Sequence, residues 1–182
     1  QRNAANGSVK FVLGFCLSMV LRLLPIRPWN VEPILAITMP FARAYGPVSS
    51  FLFAFLSMVL FDIIVGKIGM WTAVTSLTYG LVAVGAHFWM KLGWKRPILG
   101  FAGYALVGTL VFDAITMSSG PGFHGQAWGE ALFGQIPFTA AHLLGNLLLS
   151  ITLSPLLDRY LVREPRLEAD ALFESWDVKV EQ

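Results

Sequence analysis

The chain of 182 residues is 55% hydrophobic and only 13% charged, and its formal net charge is +2. Its basic residues are scattered at the ends of apolar segments, so composition gives no sign of a nucleic-acid partner. The single cysteine excludes a disulfide within this sequence. Several apolar segments reach about 20 residues, the length needed to cross a bilayer. The sequence therefore predicts an all-α membrane protein, a compact bundle of six transmembrane helices.

The ends of the sequence are polar, whereas its middle is apolar. The first apolar segment has no small-residue cleavage site followed by a soluble domain, and we interpret it as a mature span and not as a signal peptide. The prediction divides the chain into a polar N-terminal tail at 1–10, a six-helix transmembrane domain at 11–162 and a polar cytoplasmic C-terminal tail at 163–182.

Proline and glycine mark the predicted helix boundaries. Pro47 follows the tight turn 44–46, and Pro97 opens another helix, because proline favours the first helical position. The second helix is short and contains Pro40, which predicts a kink. A glycine-rich loop at 118–129 separates the last two helices. The six predicted helices span 9–25, 31–43, 47–65, 70–92, 97–117 and 130–161.

The distribution of Lys and Arg predicts how the helices are oriented in the membrane. One set of helix ends carries three basic residues, Arg22, Arg27 and Lys67. Since basic residues concentrate on the cytoplasmic side, both termini are predicted to be cytoplasmic and the loop 118–129 to lie outside. The opposite set of ends carries eight basic residues: Lys10, Arg43, Lys91, Lys95, Arg96, Arg159, Arg163 and Arg166.

Carboxylates at membrane depth are candidate functional groups, because burying them in lipid is costly. Asp62 and Asp113 lie in similar segments of two parallel helices, at matching depth near the outer face. They are either interfacial carboxylates that reach water or a pair that lines an outward-facing cavity. Glu32 stands near the start of the second helix, where a carboxylate also suits the helix dipole.

One polar stripe follows the last predicted helix. Gln135, Thr139, His142 and Asn146 recur at intervals of three or four residues, which places them on one face. In a bilayer this face must contact protein or a cavity rather than lipid. Interhelical hydrogen bonding explains the stripe as well as a binding site does. We predict a cavity between the third, fifth and sixth helices, closed by the loop 118–129.

Gly14 and Ser18 form a small-xxx-small pair on the first helix, which permits close helix contact within the bundle or with another membrane protein. If the pair docks a partner, leucine at either position should weaken association and leave the fold intact. The chain has no phosphate loop, no G-x-S-x-G, no H-E-x-x-H and no Cys/His cluster with metal spacing. The prediction is therefore no enzyme activity, no cofactor and no metal.

Short segments follow one another in an order typical of one membrane-protein family. They are 23–26 (LLPI), 29–33 (WNVEP), 44–47 (AYGP), 61–66 (FDIIVG) and 135–138 (QIPF), with Asn146 and Pro155 on the last helix. Over residues 9–162 the chain resembles the substrate-binding S components of energy-coupling factor (ECF) transporters. The resemblance implies capture of a small-molecule substrate, a vitamin or related micronutrient, at a prokaryotic plasma membrane. It also implies a transmembrane coupling subunit and two ATPase subunits as partners.

In that family a small-xxx-small motif on the first helix contacts the coupling subunit, and Gly14 and Ser18 occupy its place where alanine is more usual. The outer carboxylates and aromatic residues suit a cationic or neutral aromatic ring compound. The alternative is an MreD-like membrane scaffold of cell-shape and cell-wall morphogenesis, which is also short and apolar and needs no cavity. The predicted substrate-binding residues are Asn30, Glu32, Asp62, Asp113, Trp128, Gln135, Thr139, His142 and Asn146.

Overall fold

The computed structural model describes residues 2–3, 5–25 and 31–171, and this part of the chain contains helices and no strand. A π-helical turn (Asp158–Val162) continues the last α-helix, and a 3-10 turn (Pro165–Leu167) follows it. The α-helices are α1 (Ser8–Leu23), α2 (Ile34–Tyr45), α3 (Pro47–Ile64), α4 (Met70–Met90), α5 (Pro97–Met117), α6 (Ser119–His124) and α7 (Trp128–Leu157).

Four helical segments of the described chain are long and apolar enough to cross a membrane, as a multi-pass membrane protein requires. They are built on α3, on α4, on α5 together with α6, and on α7 with its π-helical turn. Two others are shorter: α1 has 16 residues and α2 has 12. The secondary structure of the described residues is therefore all helical, and they contain seven α-helices where the sequence predicted six.

The extra helix, α6, lies inside the segment that was predicted to be a loop. Ser119–His124 form one and a half turns, and Gly125 ends them with a φ of 66°. Ser119 Oγ donates to the Thr116 carbonyl at 2.6 Å, which ties the short helix to the end of α5. Sequence patterns missed it because Gly and Pro lower helix propensity, whereas a local bond from a serine side chain to the backbone holds the short helix here.

The turn between α2 and α3 follows from two adjacent residues. Gly46 has a φ of 96°, a conformation that L side chains rarely adopt, so α2 ends there. Pro47 then takes the first position of α3, where its missing N–H is not needed. The Gly-Pro pair therefore reverses the chain without a long loop, as the sequence predicted.

The short helix α2 lies at the centre of the bundle, packed against α3, α4 and α7. Every residue from Ile34 to Ala42 is buried, including Thr38 and Pro40. A helix that is apolar on all sides has no lipid-facing or water-facing stripe, and such helices lie in cores. Phe41 stacks on Phe53 of α3 with ring centroids 4.9 Å apart.

The bundle has two ends, which we name by what they contain. The termini end carries Lys10, Arg43 and Asp158, and Arg43 Nη1 lies 2.8 Å from Asp158 Oδ2. The loop end carries the α3–α4 turn, α6 and the start of α7. Because α1 to α5 and α7 alternate in direction, both described chain ends meet at the termini end, where the Ala169 amide donates to the Asn6 carbonyl at 2.8 Å.

Candidate functional site

A buried polar cluster joins α4, α5 and α7 in the half of the bundle nearer the loop end. His142 Nδ1 lies 2.7 Å from Asp113 Oδ1, and both side chains are almost fully buried. The Tyr79 hydroxyl lies 3.4 Å from His142 Nε2. When the Asp113 carboxylate is ionised and the imidazole is neutral, Nδ1 carries the proton and Nε2 can accept from the Tyr79 hydroxyl. The three side chains then form a continuous relay across three helices.

One helical turn further from the loop end, a second polar contact connects α5 and α7. We call this contact and the His142–Asp113 contact the two rungs. Asn146 Nδ2 donates to Thr109 Oγ1 at 2.8 Å, and both residues are fully buried. Asn146 is four residues after His142 and Thr109 is four residues before Asp113, so the two rungs stack along facing antiparallel helices. The polar stripe predicted on the last helix is thus a contact face with α5.

Each rung has one oxygen atom that accepts no hydrogen bond from the described residues. Asp113 Oδ2 and Asn146 Oδ1 are buried, and neither has a hydrogen-bond donor among the described residues. A buried acceptor without a donor costs about 1–3 kcal/mol. Two such acceptors on adjacent rungs are an arrangement that a molecule carrying N–H or O–H donors would stabilise.

Aromatic rings enclose the imidazole of His142. Phe112 and Phe138 both meet it edge to face, with centroid distances of 5.6 Å and 5.7 Å. Phe112 also packs on Tyr79 at 4.1 Å. These rings exclude water from the relay, which strengthens every electrostatic contact in it.

A pocket of about 300 Å³ opens at the loop end above the cluster. Thr116, one turn from Asp113 on α5, and Gln135, two turns from His142 on α7, line its inner side. Gln135 Nε2 donates to Thr139 Oγ1 at 3.0 Å. These two residues of the polar stripe therefore lie between the pocket and the buried cluster. The outer lining includes Trp71, Ser119, His124, Gln126 and Glu130.

Asp62 does not join Asp113. Thr72 Oγ1 donates to Asp62 Oδ2 at 2.6 Å and accepts from the Gly69 amide at 3.2 Å, so this carboxylate holds the turn between α3 and α4. The buried cluster is formed by α4, α5 and α7, whereas the predicted cavity lies between the third, fifth and sixth helices, and that cavity stays a prediction. Asp62 as a substrate ligand stays a prediction.

Glu32 pairs with a buried arginine. Its Oε2 lies 3.0 Å from Arg22 Nε, and the Arg22 guanidinium lies 3.7 Å from the centre of the Phe61 ring. Arg22 also donates to the Ser57 carbonyl at 3.3 Å. The pair therefore ties α1 and the start of α2 to α3, and a structural role accounts for Glu32.

Gly14 and Ser18 face the interior of this chain. A Cβ built at Gly14 would lie 2.8 Å from Phe41 Cζ, and Ser18 is fully buried. The sequence left two explanations open: packing within the bundle and contact with another membrane protein. In the described conformation the two residues pack within the bundle. No surface for a partner is formed by these two residues in it.

The remaining predicted residues lie at the loop end. Trp128 begins α7 and is exposed. Asn30 lies outside the described residues, but the described chain resumes at Val31, which packs so closely that a Cβ at Gly145 would meet its Cγ2 at 3.0 Å. Gly145 precedes Asn146, so the start of this segment borders the deeper rung.

Sequence reasoning missed Thr109, the hydrogen-bond partner of Asn146. Thr109 carried no signal of its own, because a lone threonine in a helix usually bonds its own backbone. The stripe also continues beyond Asn146 to Ser150 and Ser154, both fully buried, and Ser154 Oγ donates to the Ala36 carbonyl at 2.7 Å. The i+4 spacing of these serines was the signal that could have revealed the longer contact face.

Among residues 2–3, 5–25 and 31–171, no group of three or more His, Cys, Asp or Glu side chains could hold a metal ion. Comparison of the chain with protein-family models, curated proteins and solved structures finds no match. The relay, the unfilled acceptors and the pocket above them are therefore the features from which a function has to be argued.

Proposed function

We propose that this protein is the membrane-embedded substrate-binding subunit of an ECF-type uptake transporter for a vitamin or related small molecule. In this proposal six helices span a prokaryotic plasma membrane with both termini in the cytoplasm. The chain binds substrate and hydrolyses nothing, and a transmembrane coupling subunit with two ATPase subunits supplies the energy. The support is the order of sequence features over residues 9–162 together with the chemistry of the buried cluster.

The pair of unfilled acceptors, Asp113 Oδ2 and Asn146 Oδ1, is the observation that carries the proposal. Polar groups within a membrane bundle are normally paired with each other or with backbone, and ionisable ones mark substrate pathways. A substrate that donates hydrogen bonds to both oxygens would remove two desolvation costs at once. The aromatic side chains around His142 suit a flat ring.

The pocket at the loop end supplies the route to these acceptors. It is at the lower limit of small-molecule sites, which start at about 300 Å³. Thr116 and Gln135 line its inner side, and the polar stripe continues from Gln135 through Thr139 to His142.

The test is retention of a small molecule by the purified protein. Native mass spectrometry of the wild type should detect a co-purified ligand, and His142→Ala and Asp113→Asn should each lower its occupancy about tenfold or more. His87→Ala is the matched control, because His87 is equally buried but bonds the Ala42 carbonyl nearer the termini end. Equal ligand retention in all variants would overturn the proposed site.

Asp62→Asn tests whether Asp62 belongs to the same site. Because its carboxylate accepts from Thr72, we expect a lower thermal unfolding temperature and unchanged ligand retention. Loss of the ligand in a folded Asp62→Asn variant would restore Asp62 to the substrate-binding residues.

Copurification separates transport from the MreD-like alternative. A binding subunit should be isolated with a membrane coupling protein and ATPases, whereas a morphogenesis scaffold should be isolated with an actin-like filament protein and should retain no ligand. The unfilled acceptors favour the first outcome, because a substrate with N–H or O–H donors would satisfy them, whereas the scaffold alternative involves no such molecule.

A further inference from the structure

A second hollow lies at the termini end, away from the proposed substrate site. It has a volume of about 400 Å³ and runs between the start of α5 and the end of α7. Ile98, Phe101 and Pro155 form an apolar floor, while Asp158, Arg159 and Arg163 form a charged rim. An apolar groove bounded by charge at one end fits an amphiphile better than a water-soluble ligand.

The rim carries an excess of positive charge. The Asp158 carboxylate is shared by two guanidiniums, since Oδ2 lies 2.8 Å from Arg43 and 2.9 Å from Arg163. Arg159 is exposed, its guanidinium lies 5.2 Å from the centre of the Tyr160 ring, and it forms no ion pair within the described residues. One carboxylate against three arginines leaves the rim able to bind an anion.

The π-helical turn places the two rim arginines together. The Arg163 amide donates to the Asp158 carbonyl at 3.1 Å, five residues back, and Arg159 and Arg163 are four residues apart on one side of this turn. Such π-turns occur frequently at functional sites. Two guanidiniums on one side of a turn are a geometry suited to the oxygens of a phosphate.

Two tryptophans indicate where the groove lies relative to the membrane surface. Trp89 and Trp94 stack at 5.3 Å, and Trp89 Nε1 donates to the Gly100 carbonyl, next to Phe101 on the groove floor. Tryptophan concentrates at the membrane–water interface. The apolar floor therefore lies at acyl-chain depth, and the arginine rim lies at the level of lipid headgroups.

We propose that this groove binds one anionic phospholipid, with an acyl chain along Ile98, Phe101 and Pro155 and the phosphate at Arg159 and Arg163. Basic pockets between membrane helices bind anionic headgroups through this combination of charge and apolar contact. A zwitterionic lipid would bring its own cation to a rim whose arginines already outnumber its carboxylate, so the groove selects against it.

The lipid bound by the detergent-purified full-length protein tests this directly. Native mass spectrometry with equal amounts of added phosphatidylglycerol and phosphatidylcholine should show preferential retention of phosphatidylglycerol. Arg159→Gln should lower that retention about tenfold, since a charge-assisted phosphate contact is lost. Arg166→Gln is the matched control: it removes the same charge from an exposed residue of the same end that does not line the groove.

Ile98→Trp tests the apolar floor separately. Filling the groove should lower retention of phosphatidylglycerol while all the arginines remain. Equal losses in Arg159→Gln and Arg166→Gln would show a diffuse surface charge effect and overturn the proposal. Displacement of phosphatidylglycerol by inorganic phosphate at equal concentration, or no effect of Ile98→Trp, would show an anion site without a lipid and would also overturn it.

Discussion

Five charged side chains are buried in the described chain, and each is held by a partner from another helix or the segment beside it. Lys10 of α1 donates to the Val162 carbonyl at the end of α7, and Arg22 pairs with Glu32 before α2. In lipid the hydrophobic effect does not hold helices together, so such polar contacts and close packing must do so. The buried charges Asp62, Asp113 and Asp158 connect α3 to α4, α5 to α7, and α7 to α2.

The Arg22–Glu32 pair gives a prediction at the residue scale. Glu32→Gln leaves the Arg22 cation without its counter-ion in a largely buried position, so the free energy of unfolding should fall by about 1–3 kcal/mol. Arg22→Gln in the same protein removes the stranded charge. We therefore expect the double variant to be more stable than Glu32→Gln alone, as measured by thermal unfolding in detergent. Additive losses would show that the two residues act independently.

At the scale of elements, the sequence predicts helix boundaries well where proline or glycine determines them. α3 and α5 begin at Pro47 and Pro97, as predicted. α1 ends at Leu23, two residues before the prediction, because apolarity alone does not fix a helix end. The central position of α2 depends on which helices become neighbours, and no local pattern contains that information.

Packing of α1 against α2 and α3 revises one expectation. Only if Gly14 and Ser18 form a docking face does the sequence predict that leucine at Gly14 leaves the fold intact. In the structure a side chain at Gly14 meets Phe41 and Phe53, which are stacked and buried. Gly14→Leu should lower the thermal unfolding temperature strongly, because both rings are buried and stacked on each other. Cys16→Leu places the same side chain on the exposed side of α1 and should change the unfolding temperature little. Equal stability of the two variants would show that α1 can shift as a unit.

At the scale of the whole molecule, the two ends of the bundle differ in chemistry. Ion pairs between arginine or lysine and carboxylates concentrate at the termini end, whereas the loop end carries the pocket of about 300 Å³ lined by Trp71, His124 and Glu130. The sequence predicted this separation from the positions of Lys and Arg. The sequence also predicted that Asp62 and Asp113 line one cavity, because their helices are parallel. Helices that run in the same direction need not be neighbours, and α4 packs closely against both α3 and α5.

The orientation of the bundle in the membrane stays a prediction from the positions of Lys and Arg, and it can be measured by cysteine labelling. Cys16 is exposed and must first be replaced by serine. Gly122→Cys at the loop end has no atom within 4 Å of the new Cβ, and Lys95→Cys lies in the exposed α4–α5 turn. The positive-inside rule predicts that a membrane-impermeant maleimide labels residue 122 in intact cells and labels residue 95 only after permeabilisation. Labelling of residue 95 alone would reverse the orientation, and labelling of both would place the two ends on the same side and contradict the fold.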